Sequence, residues 1–207
     1  MSKSLQINDL FWTLQGEGRW SGHRALFVRM PYCNYDCPWC DTEYDNYTPW
    51  NEEALIAFAK QESSRFAVLT GGEPTLHKDT PRIISLLKKE GFYIACETNG
   101  SAPIPEGIDF PTISPKKFTK GKLPPYYIHP DNWTRAREWK YVVDQDFDFS
   151  VLNKHALSKN SPPSEVVYSL SPEFSHMADN VEKIINYIQQ HPQWCLSLQT
   201  HKWIHIP

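Results

Sequence analysis

The hydrophobic positions of this chain fall into short runs that are rich in β-branched and aromatic side chains. Runs of this length and composition are typical of β-strands, and most of them are too short to be helices. The predicted strands span residues 25–30, 66–70, 92–96, 110–114, 139–143, 165–170 and 194–198. Because several of them are followed by segments with helical spacing, the pattern favours an α/β fold built from βα units.

Three segments have the apolar spacing of amphipathic helices. The first is predicted to start at Thr48-Pro49, since proline suits the first helical position. The second starts at Asp79-Thr80-Pro81 and stops before Gly91, and the third covers residues 179–190. The side chains expected to face inward are Ala54, Leu55 and Phe58, then Ile83, Ile84, Leu86 and Leu87, then Val181, Ile184, Ile185 and Ile188. Residues 115–138 show neither period and are predicted to form a long loop rich in lysine and proline.

Most of the predicted strands are followed by a polar or glycine-rich segment. In a parallel β/α barrel the carboxyl ends of the strands open onto one face, so these segments are expected to meet around a single site. They are residues 33–40, Gly71-Gly72-Glu73-Pro74, Glu97-Thr98-Asn99-Gly100, Ser114-Pro115-Lys116, Ser171-Pro172-Glu173 and Gln199-Thr200-His201-Lys202.

The length, composition and net charge indicate what kind of protein this is. A length of 207 residues, with 40% hydrophobic and 22% charged residues, suits one globular domain over residues 1–207. The net charge of −3 does not indicate a basic surface for binding nucleic acid. No stretch approaches the roughly 20 apolar residues of a membrane helix, and the N-terminus has no secretory apolar region. A cytoplasmic protein that binds neither nucleic acid nor membrane is therefore expected.

Cys33, Cys37 and Cys40 lie within eight residues of one loop, a clustering that is typical of metal sites. Both zinc and a [4Fe-4S] cluster normally take four protein ligands. Three thiolates therefore indicate either a distant fourth ligand, such as His77, or an iron that stays free for a small molecule. Disulfide pairing is disfavoured, since a cytosolic chain keeps its thiols reduced. The other two cysteines, Cys96 and Cys195, lie in apolar runs and are predicted to be buried in the core.

The spacing Cys33-x3-Cys37-x2-Cys40, with the later Gly71-Gly72-Glu73-Pro74, resembles the radical S-adenosylmethionine (SAM) enzymes. The resemblance implies a partial, shortened parallel β/α barrel in which the three cysteines hold a [4Fe-4S] cluster. It also implies that SAM chelates the fourth iron and is cleaved by the reduced cluster to a 5'-deoxyadenosyl radical. Gly71 and Gly72 would let the backbone approach SAM closely, and Glu73 would orient its amine. Trp39 would pack against the adenine or shield the cluster from water.

A narrower resemblance covers essentially the whole chain and points to the 7-carboxy-7-deazaguanine synthases. The matching segments are Leu14-Gln15-Gly16-Glu17-Gly18, Phe27-Val28-Arg29, Cys40-Asp41-Thr42, Glu97-Thr98-Asn99-Gly100, Ser114-Pro115-Lys116 and Leu198-Gln199-Thr200-His201-Lys202. This family converts 6-carboxy-5,6,7,8-tetrahydropterin into 7-carboxy-7-deazaguanine with loss of ammonia, on the route to queuosine. The resemblance implies a homodimer, a bound Mg²⁺ and a reductant such as flavodoxin.

The same resemblance implies roles for individual residues. Arg29 would clamp the substrate carboxylate with its planar guanidinium, and Thr42 would supply an oxygen ligand to Mg²⁺. Asp41 is expected to brace the loop, and the roles of Glu17, His201 and Lys202 stay open. The other implied substrate contacts are Leu14, Gln15, Gly16, Thr98 and the carboxylate of Pro207, and the implied SAM contacts are Gly100, Ser114, Pro115 and Lys116, with a weaker match at 171–174.

The sequence departs from the family pattern at one place, and two alternative functions are compatible with the cysteine spacing. Pro31-Tyr32 stands where the family pattern has a glycine, just before the first cysteine. An activase that abstracts hydrogen from a glycine of a partner protein carries the same cysteine spacing and is the first alternative, and a zinc-bound binding module is the second. Arg29, Thr42 and the segment Gln199-Thr200-His201-Lys202 favour an enzyme with a small anionic substrate over the activase. The near-neutral charge and the enzyme-like polar segments at the strand ends oppose the zinc module.

Overall fold

The computed structural model describes residues 4–121, 123–156 and 166–207. These residues form ten strands: β1 (Leu5–Ile7), β2 (Asp9–Leu14), β3 (Arg24–Met30), β4 (Thr48–Trp50), β5 (Phe66–Gly71), β6 (Tyr93–Thr98), β7 (Phe110–Ile113), β8 (Glu138–Val143), β9 (Val167–Pro172) and β10 (Trp194–Leu196). The helices are α1 (Glu52–Ala59), α2 (Thr80–Lys89), α3 (Ser150–Ala156), α4 (Met177–Gln190) and α5 (Thr200–Ile204).

The main sheet has eight strands in the order β10-β9-β8-β7-β6-β5-β3-β2. Every neighbouring pair from β10 to β3 is parallel, and only β2 runs antiparallel, against β3. All seven predicted strands are therefore present, with Glu165 of the sixth lying outside the described residues. β1 and β4 form a separate antiparallel pair. The α/β prediction is confirmed.

Hydrogen bonds join the two edges of the main sheet. The loop that follows β2 reaches the segment that follows β10, where the Gly18 amide donates to Ser197 Oγ at 2.8 Å. The Thr200 amide and hydroxyl both donate to the Gly16 carbonyl at 2.9 Å. These contacts link residues more than 170 positions apart, so they close the curved sheet into a partial barrel.

The core lies between the sheet and the helices. It contains Leu26, Val28, Leu69, Ile94 and Tyr141 from the strands and Leu55, Ile83, Leu87 and Ile184 from the helices, all of them buried. α2 matches its prediction: Ile83, Ile84 and Leu87 are buried, and Gly91 follows the helix with a φ of +78°. A left-handed residue of this kind is a common helix stop, because glycine has no Cβ to oppose it.

Several predictions are wrong. Thr48 and Pro49 belong to β4, and α1 starts later, with Asn51 as its cap accepting from the Ala54 amide at 2.7 Å. On α4, Ile185 points outward and is 44% exposed. Cys195 is exposed, since β10 is an edge strand, whereas Cys96 is buried as expected. The loop at 115–138 contains a short 3₁₀ helix, Pro130–Thr134. Among the described residues, no helix has the length and apolar character needed to cross a membrane.

Candidate active site

One cavity of about 340 Å³ opens at the carboxyl ends of the parallel strands. Its walls include side chains from nearly all the polar segments that follow the strands, and this confirms that those segments meet. Sixteen of the eighteen predicted site residues line it: Leu14, Gln15, Gly16, Arg29, Cys33, Cys37, Trp39, Cys40, Thr42, Gly71, Gly72, Glu73, Thr98, Ser114, Lys116 and Pro207. Gly100 and Pro115 do not line it, and neither do residues 171–174.

The three clustered cysteines lie on the loop after β3 and face this cavity together. Burial raises the pKa of Cys33 to about 11, and burial also raises the pKa of Cys37. The thiols of Cys33 and Cys37 therefore hold their protons more firmly than a free thiol and must release them when iron binds, as metal ligands generally do. The Tyr35 amide donates to the Cys33 sulfur at 3.4 Å, which favours negative charge on that sulfur.

Two buried polar groups beside the cysteines point to a missing ligand. The hydroxyl of Tyr35 and the indole N–H of Trp39 are buried without a hydrogen-bond partner in the described part of the chain. An unpaired buried donor is costly, so such groups call for an acceptor. No three His, Cys, Asp or Glu side chains of the described residues converge on a single-ion site. The three cysteines on one cavity and the two buried donors beside them suit an iron–sulfur cluster, which would be held by the thiolates and would accept hydrogen bonds at its sulfurs.

The Gly71-Gly72-Glu73-Pro74 segment packs directly against the cysteine loop. The Gly72 amide donates to the Met30 carbonyl at 2.8 Å, and the Glu73 amide donates to the Tyr32 carbonyl at 2.7 Å. A Cβ added at Gly72 would lie 1.9 Å from the Tyr32 carbonyl oxygen. Only glycine permits this approach, so the first role of Gly72 is to set the position of the cysteine loop.

Glu73 is a buried carboxylate whose oxygens are held by neighbouring donors. One oxygen accepts from the Thr75 amide at 2.9 Å and from the Thr98 hydroxyl at 2.6 Å, and the other accepts from the Asn99 amide at 2.7 Å. Burial nevertheless raises its pKa. Glu73 therefore connects the end of β5 to the end of β6 and presents a fixed hydrogen-bond acceptor to the cavity.

A cationic and aromatic wall follows β7. The Lys116 ammonium lies 5.4 Å from the centre of the Trp39 ring and donates to the Ser114 hydroxyl. Burial lowers the pKa of Lys116, and the nearby Cys37 opposes that shift. These three side chains form a positively charged face beside the cysteines, which can accept a carboxylate or a ring with hydroxyl groups.

Arg29 lies at the end of β3 with few competing contacts. Its guanidinium lies 4.8 Å from the centre of the Phe11 ring and 3.7 Å from the Asp9 carboxylate. The second distance is too long for a direct hydrogen bond. The planar N–H donors of Arg29 are therefore available for an anion in the cavity.

Thr42 lines the cavity two residues past the last cysteine. Its neighbour Asp41 binds the Lys202 ammonium at 2.7 Å. The ion pair ties the cysteine loop to α5, in agreement with the bracing role expected for Asp41.

Gly100, Ser171 and Phe174 do not line the cavity and are instead packed against other parts of the protein. Gly100 has a φ of +77°, and a Cβ there would lie 2.6 Å from a methyl carbon of Ile113. Ser171 is buried in β9, and Phe174 packs under the Lys202 ammonium at 4.9 Å. Direct contact of these residues with a ligand stays a prediction.

A charged group that the sequence patterns missed also lines the cavity. Lys140, in β8, donates to Glu17 and to Glu97 at 2.8 Å each. Lys140 is the second residue of the predicted strand 139–143, and a lysine inside an otherwise apolar strand was the signal that could have identified it. His201 also lines the cavity, and burial lowers its pKa.

Comparison with known proteins gives consistent matches. Residues 27–110 match the model of the radical SAM superfamily. The chain is 36% identical to a 7-carboxy-7-deazaguanine synthase of Synechocystis sp., covering 100% of this chain and 95% of the relative. It is 34% identical to the Haemophilus influenzae protein of the same name, covering 98% and 94%. The crystal structure of QueE from Escherichia coli matches with a TM-score of 0.79 and 29% identity, covering 96% of this chain and 95% of that one.

Proposed function

Because the chain belongs to the family of 7-carboxy-7-deazaguanine synthases, we propose that the cavity at its strand ends binds SAM and the pterin substrate side by side. The chain is a radical SAM enzyme that converts 6-carboxy-5,6,7,8-tetrahydropterin into 7-carboxy-7-deazaguanine with release of ammonia. Full-length similarity to synthases leaves no support for the activase or the zinc module. Its cofactors are SAM and a [4Fe-4S] cluster, which when bound supplies the electron that cleaves SAM.

One observation carries the proposal: Cys33, Cys37 and Cys40 line the same cavity as Arg29. The cluster position and an available guanidinium therefore share one chamber. The cationic wall of Lys116, Ser114 and Trp39 lies on the cluster side and is assigned to SAM, together with Gly71, Gly72 and Glu73. Arg29, Thr98 and residues 14–16 are assigned to the pterin.

Pro207 is assigned to the pterin as well. It lines the cavity, and its oxygen accepts from the Thr13 hydroxyl at 3.2 Å. This contact holds the segment after α5 against β2. An anionic or carbonyl oxygen in that position can accept hydrogen bonds from the amino-pyrimidinone edge of a pterin.

Replacing Arg29 by lysine is expected to weaken pterin binding by about 1 to 3 kcal/mol, because an ammonium cannot form the two parallel hydrogen bonds of a guanidinium with a carboxylate. SAM affinity should be unchanged. Isothermal titration of the reconstituted protein with 6-carboxypterin and, separately, with SAM measures both values.

Arg24→Lys is the matched control, because Arg24 lies on the same strand, stacks over Trp12 at 6.0 Å, pairs with Glu62 and does not line the cavity. It should bind both ligands normally. Equal weakening of the two ligands in Arg29→Lys would show that Arg29 acts on the fold instead of on the substrate.

We further propose that Mg²⁺ binds at Thr42. The support is that Thr42 lines the same cavity as Arg29, to which we assign the substrate carboxylate, since Mg²⁺ binds oxygen ligands and usually keeps positions for water and substrate. The hydroxyl of Thr42 would be the one protein ligand, and the substrate would supply others.

Thr42→Ala should make turnover less dependent on added Mg²⁺, because it removes the single protein ligand that we assign to the ion. The measurement is the ratio of rates with Mg²⁺ and with excess EDTA. Thr48→Ala, a change at an exposed threonine outside the cavity, should keep the wild-type ratio. A wild-type ratio in Thr42→Ala would remove Thr42 from the metal site.

We also propose that residues 1–207 form one radical SAM domain that pairs as a homodimer in the cytoplasm and receives electrons from a reductant such as flavodoxin. The continuous sheet from β2 to β10 supports a single domain. Exposed apolar side chains support the dimer: Trp203 and Ile204 on α5 are 61% and 55% exposed, close to the edge strand β10. A reducing compartment suits the free thiols of the cysteine loop.

A further inference from the structure

Part of the cavity wall is formed by Lys140, which lies between the carboxylates of Glu17 and Glu97. None of the roles assigned above explains this group. The Lys140 side chain is 7% exposed, and its ammonium lies 2.8 Å from Glu17 Oε2 and 2.8 Å from Glu97 Oε2. All three residues line the cavity. A buried charge is normally paired and fully hydrogen-bonded, and this group carries one more negative than positive charge.

The two carboxylates are oriented from several directions. Gln199 donates to the second oxygen of Glu17 at 2.9 Å, and Gln15 donates to the second oxygen of Glu97 at 3.3 Å. Gln15 is also one of the residues assigned to the pterin. The group therefore combines residues of the interior strands β6 and β8 with the loop after β2 and the segment before α5, and the last two segments are the ones that close the barrel.

The chemistry of Lys140 argues against a role as proton donor. Although burial works in the opposite direction, Glu17 and Glu97 raise the pKa of Lys140. Lys140 also lowers the pKa of Glu17 to about 2, against the effect of its burial. Burial raises the pKa of Glu97, Glu138 and Glu17 add to that shift, and Lys140 opposes it, so Glu97 is the carboxylate that depends most on the ammonium. An ammonium that holds its proton so firmly is a permanent counter-charge, and a carboxylate with so low a pKa is a permanent hydrogen-bond acceptor.

We propose that Lys140 is a positioning residue that keeps Glu17 and Glu97 ionised and aimed into the cavity, where they accept hydrogen bonds from a heterocycle edge rich in N–H donors. The inference rests on the proposed function and adds a specificity device to it. An amino-pyrimidinone edge carries adjacent N–H and NH₂ donors, whereas a heterocycle with acceptors at the same places would face charged oxygens. Such a mismatch leaves buried groups unpaired and is strongly rejected.

Other titratable groups near Lys140 could also make pterin binding depend on pH. Glu138, on the same strand, accepts from the Ser169 hydroxyl and from the Arg19 amide at 3.1 Å. Lys116 follows β7, and His201 lies on α5 close to Glu17. Lys116 and His201 are on the cavity wall and remain in every variant below, so their titration is common to all of the proteins compared.

The test is the pH dependence of pterin binding in Lys140→Met, a neutral replacement of similar length. Without the ammonium, Glu17 and Glu97 are expected to share a proton at neutral pH, because two neighbouring buried carboxylates do not both ionise readily. The shared proton blocks an acceptor oxygen. The dissociation constant of 6-carboxypterin should therefore rise at least tenfold at pH 7 and fall back toward the wild-type value as the pH is raised.

At each pH we compare the dissociation constant of the variant, divided by that of the wild-type protein. Ionisation of 6-carboxypterin affects both values equally and therefore cancels in this ratio. SAM binding should be unchanged. Lys117→Met is the matched control: it breaks an ion pair with Asp144 at 2.8 Å but lies outside the cavity, so its ratio should stay near one at every pH. A ratio near one for Lys140→Met, or a loss that does not change with pH, overturns the proposal.

A double variant keeps the test decisive if Lys140→Met folds poorly. Lys140→Met with Glu97→Gln removes one positive and one negative charge, so it should fold, bind 6-carboxypterin weakly and show no pH dependence of the ratio. Wild-type affinity in the double variant overturns the proposal. Failure of the proposed function looks different, because the wild-type protein then binds no 6-carboxypterin at all.

Discussion

Replacing any one of Cys33, Cys37 or Cys40 by alanine is expected to abolish cluster content and turnover together. The three thiols line one cavity, and the described residues offer no other cysteine there. Two thiolates cannot hold a [4Fe-4S] cluster that leaves only one iron open to SAM. Iron and acid-labile sulfide per chain, together with visible absorbance after anaerobic reconstitution, measure the loss.

Cys195→Ala is the control for this series, since Cys195 is an exposed thiol on the edge strand β10 and lies away from the cavity. It should keep full cluster content and wild-type turnover. A Cys37→Ala protein with both intact would contradict the assignment of the cysteine loop.

Gly72→Ala is expected to cost almost as much activity without removing any ligand. The new methyl group would lie 1.9 Å from the Tyr32 carbonyl oxygen, so either the glycine segment or the cysteine loop must move. Overpacking of this kind typically costs about 1 to 3 kcal/mol, and here the displaced backbone leads directly into Cys33. The thermal midpoint, cluster content and SAM affinity of Gly72→Ala should all fall.

Gly22→Ala separates this clash from the ordinary cost of replacing a glycine. Gly22 has a φ of +85°, but nothing lies within 4 Å of its added Cβ. The variant should lose about 1 kcal/mol of stability through backbone strain and keep its cluster and SAM affinity. The account of Gly72 fails if the two variants bind SAM equally well.

The sequence predicted the parallel strands because most of them are runs of apolar residues buried on both faces, although the edge strand β10 buries only Trp194. It missed β2, whose consecutive apolar residues Leu10, Phe11 and Trp12 lie near the N-terminus between the polar Asp9 and Thr13. It also placed the start of α1 too early, because Pro49 suits a strand edge as well as the first turn of a helix. α5 was missed since its five residues carry no apolar period.

Site residues that belong to a recognisable sequence motif were predicted. Lys140, which reaches the site only because of the fold, was not predicted. The cysteines and the two glycines are recognisable because their spacing has a direct chemical reason. Lys140 has no motif, and it meets Glu17 only when sequence positions 123 apart are brought together by the barrel. Hydrogen bonds of this range cannot be inferred from one sequence.

The departure at Pro31-Tyr32 has a structural explanation. Tyr32 adopts a φ of +64°, the left-handed conformation that a glycine takes without strain. Its amide donates to the Tyr44 carbonyl at 2.8 Å, and its carbonyl accepts from the Glu73 amide at 2.7 Å. These bonds offset a cost of about 1 to 2 kcal/mol for a side chain in this region. Tyr32 therefore holds a conformation that glycine adopts easily, at the place where the family pattern has a glycine.

The most direct test of the central claim is a turnover assay of the anaerobically reconstituted protein with SAM, dithionite, Mg²⁺ and 6-carboxy-5,6,7,8-tetrahydropterin. Chromatography with mass detection follows the pterin and the deazapurine, and a coupled assay follows ammonia. Our account predicts one 7-carboxy-7-deazaguanine and one ammonia for each pterin consumed, with no product when Cys37→Ala replaces the wild-type protein. Cleavage of SAM by the wild-type protein while the pterin stays unchanged would contradict it.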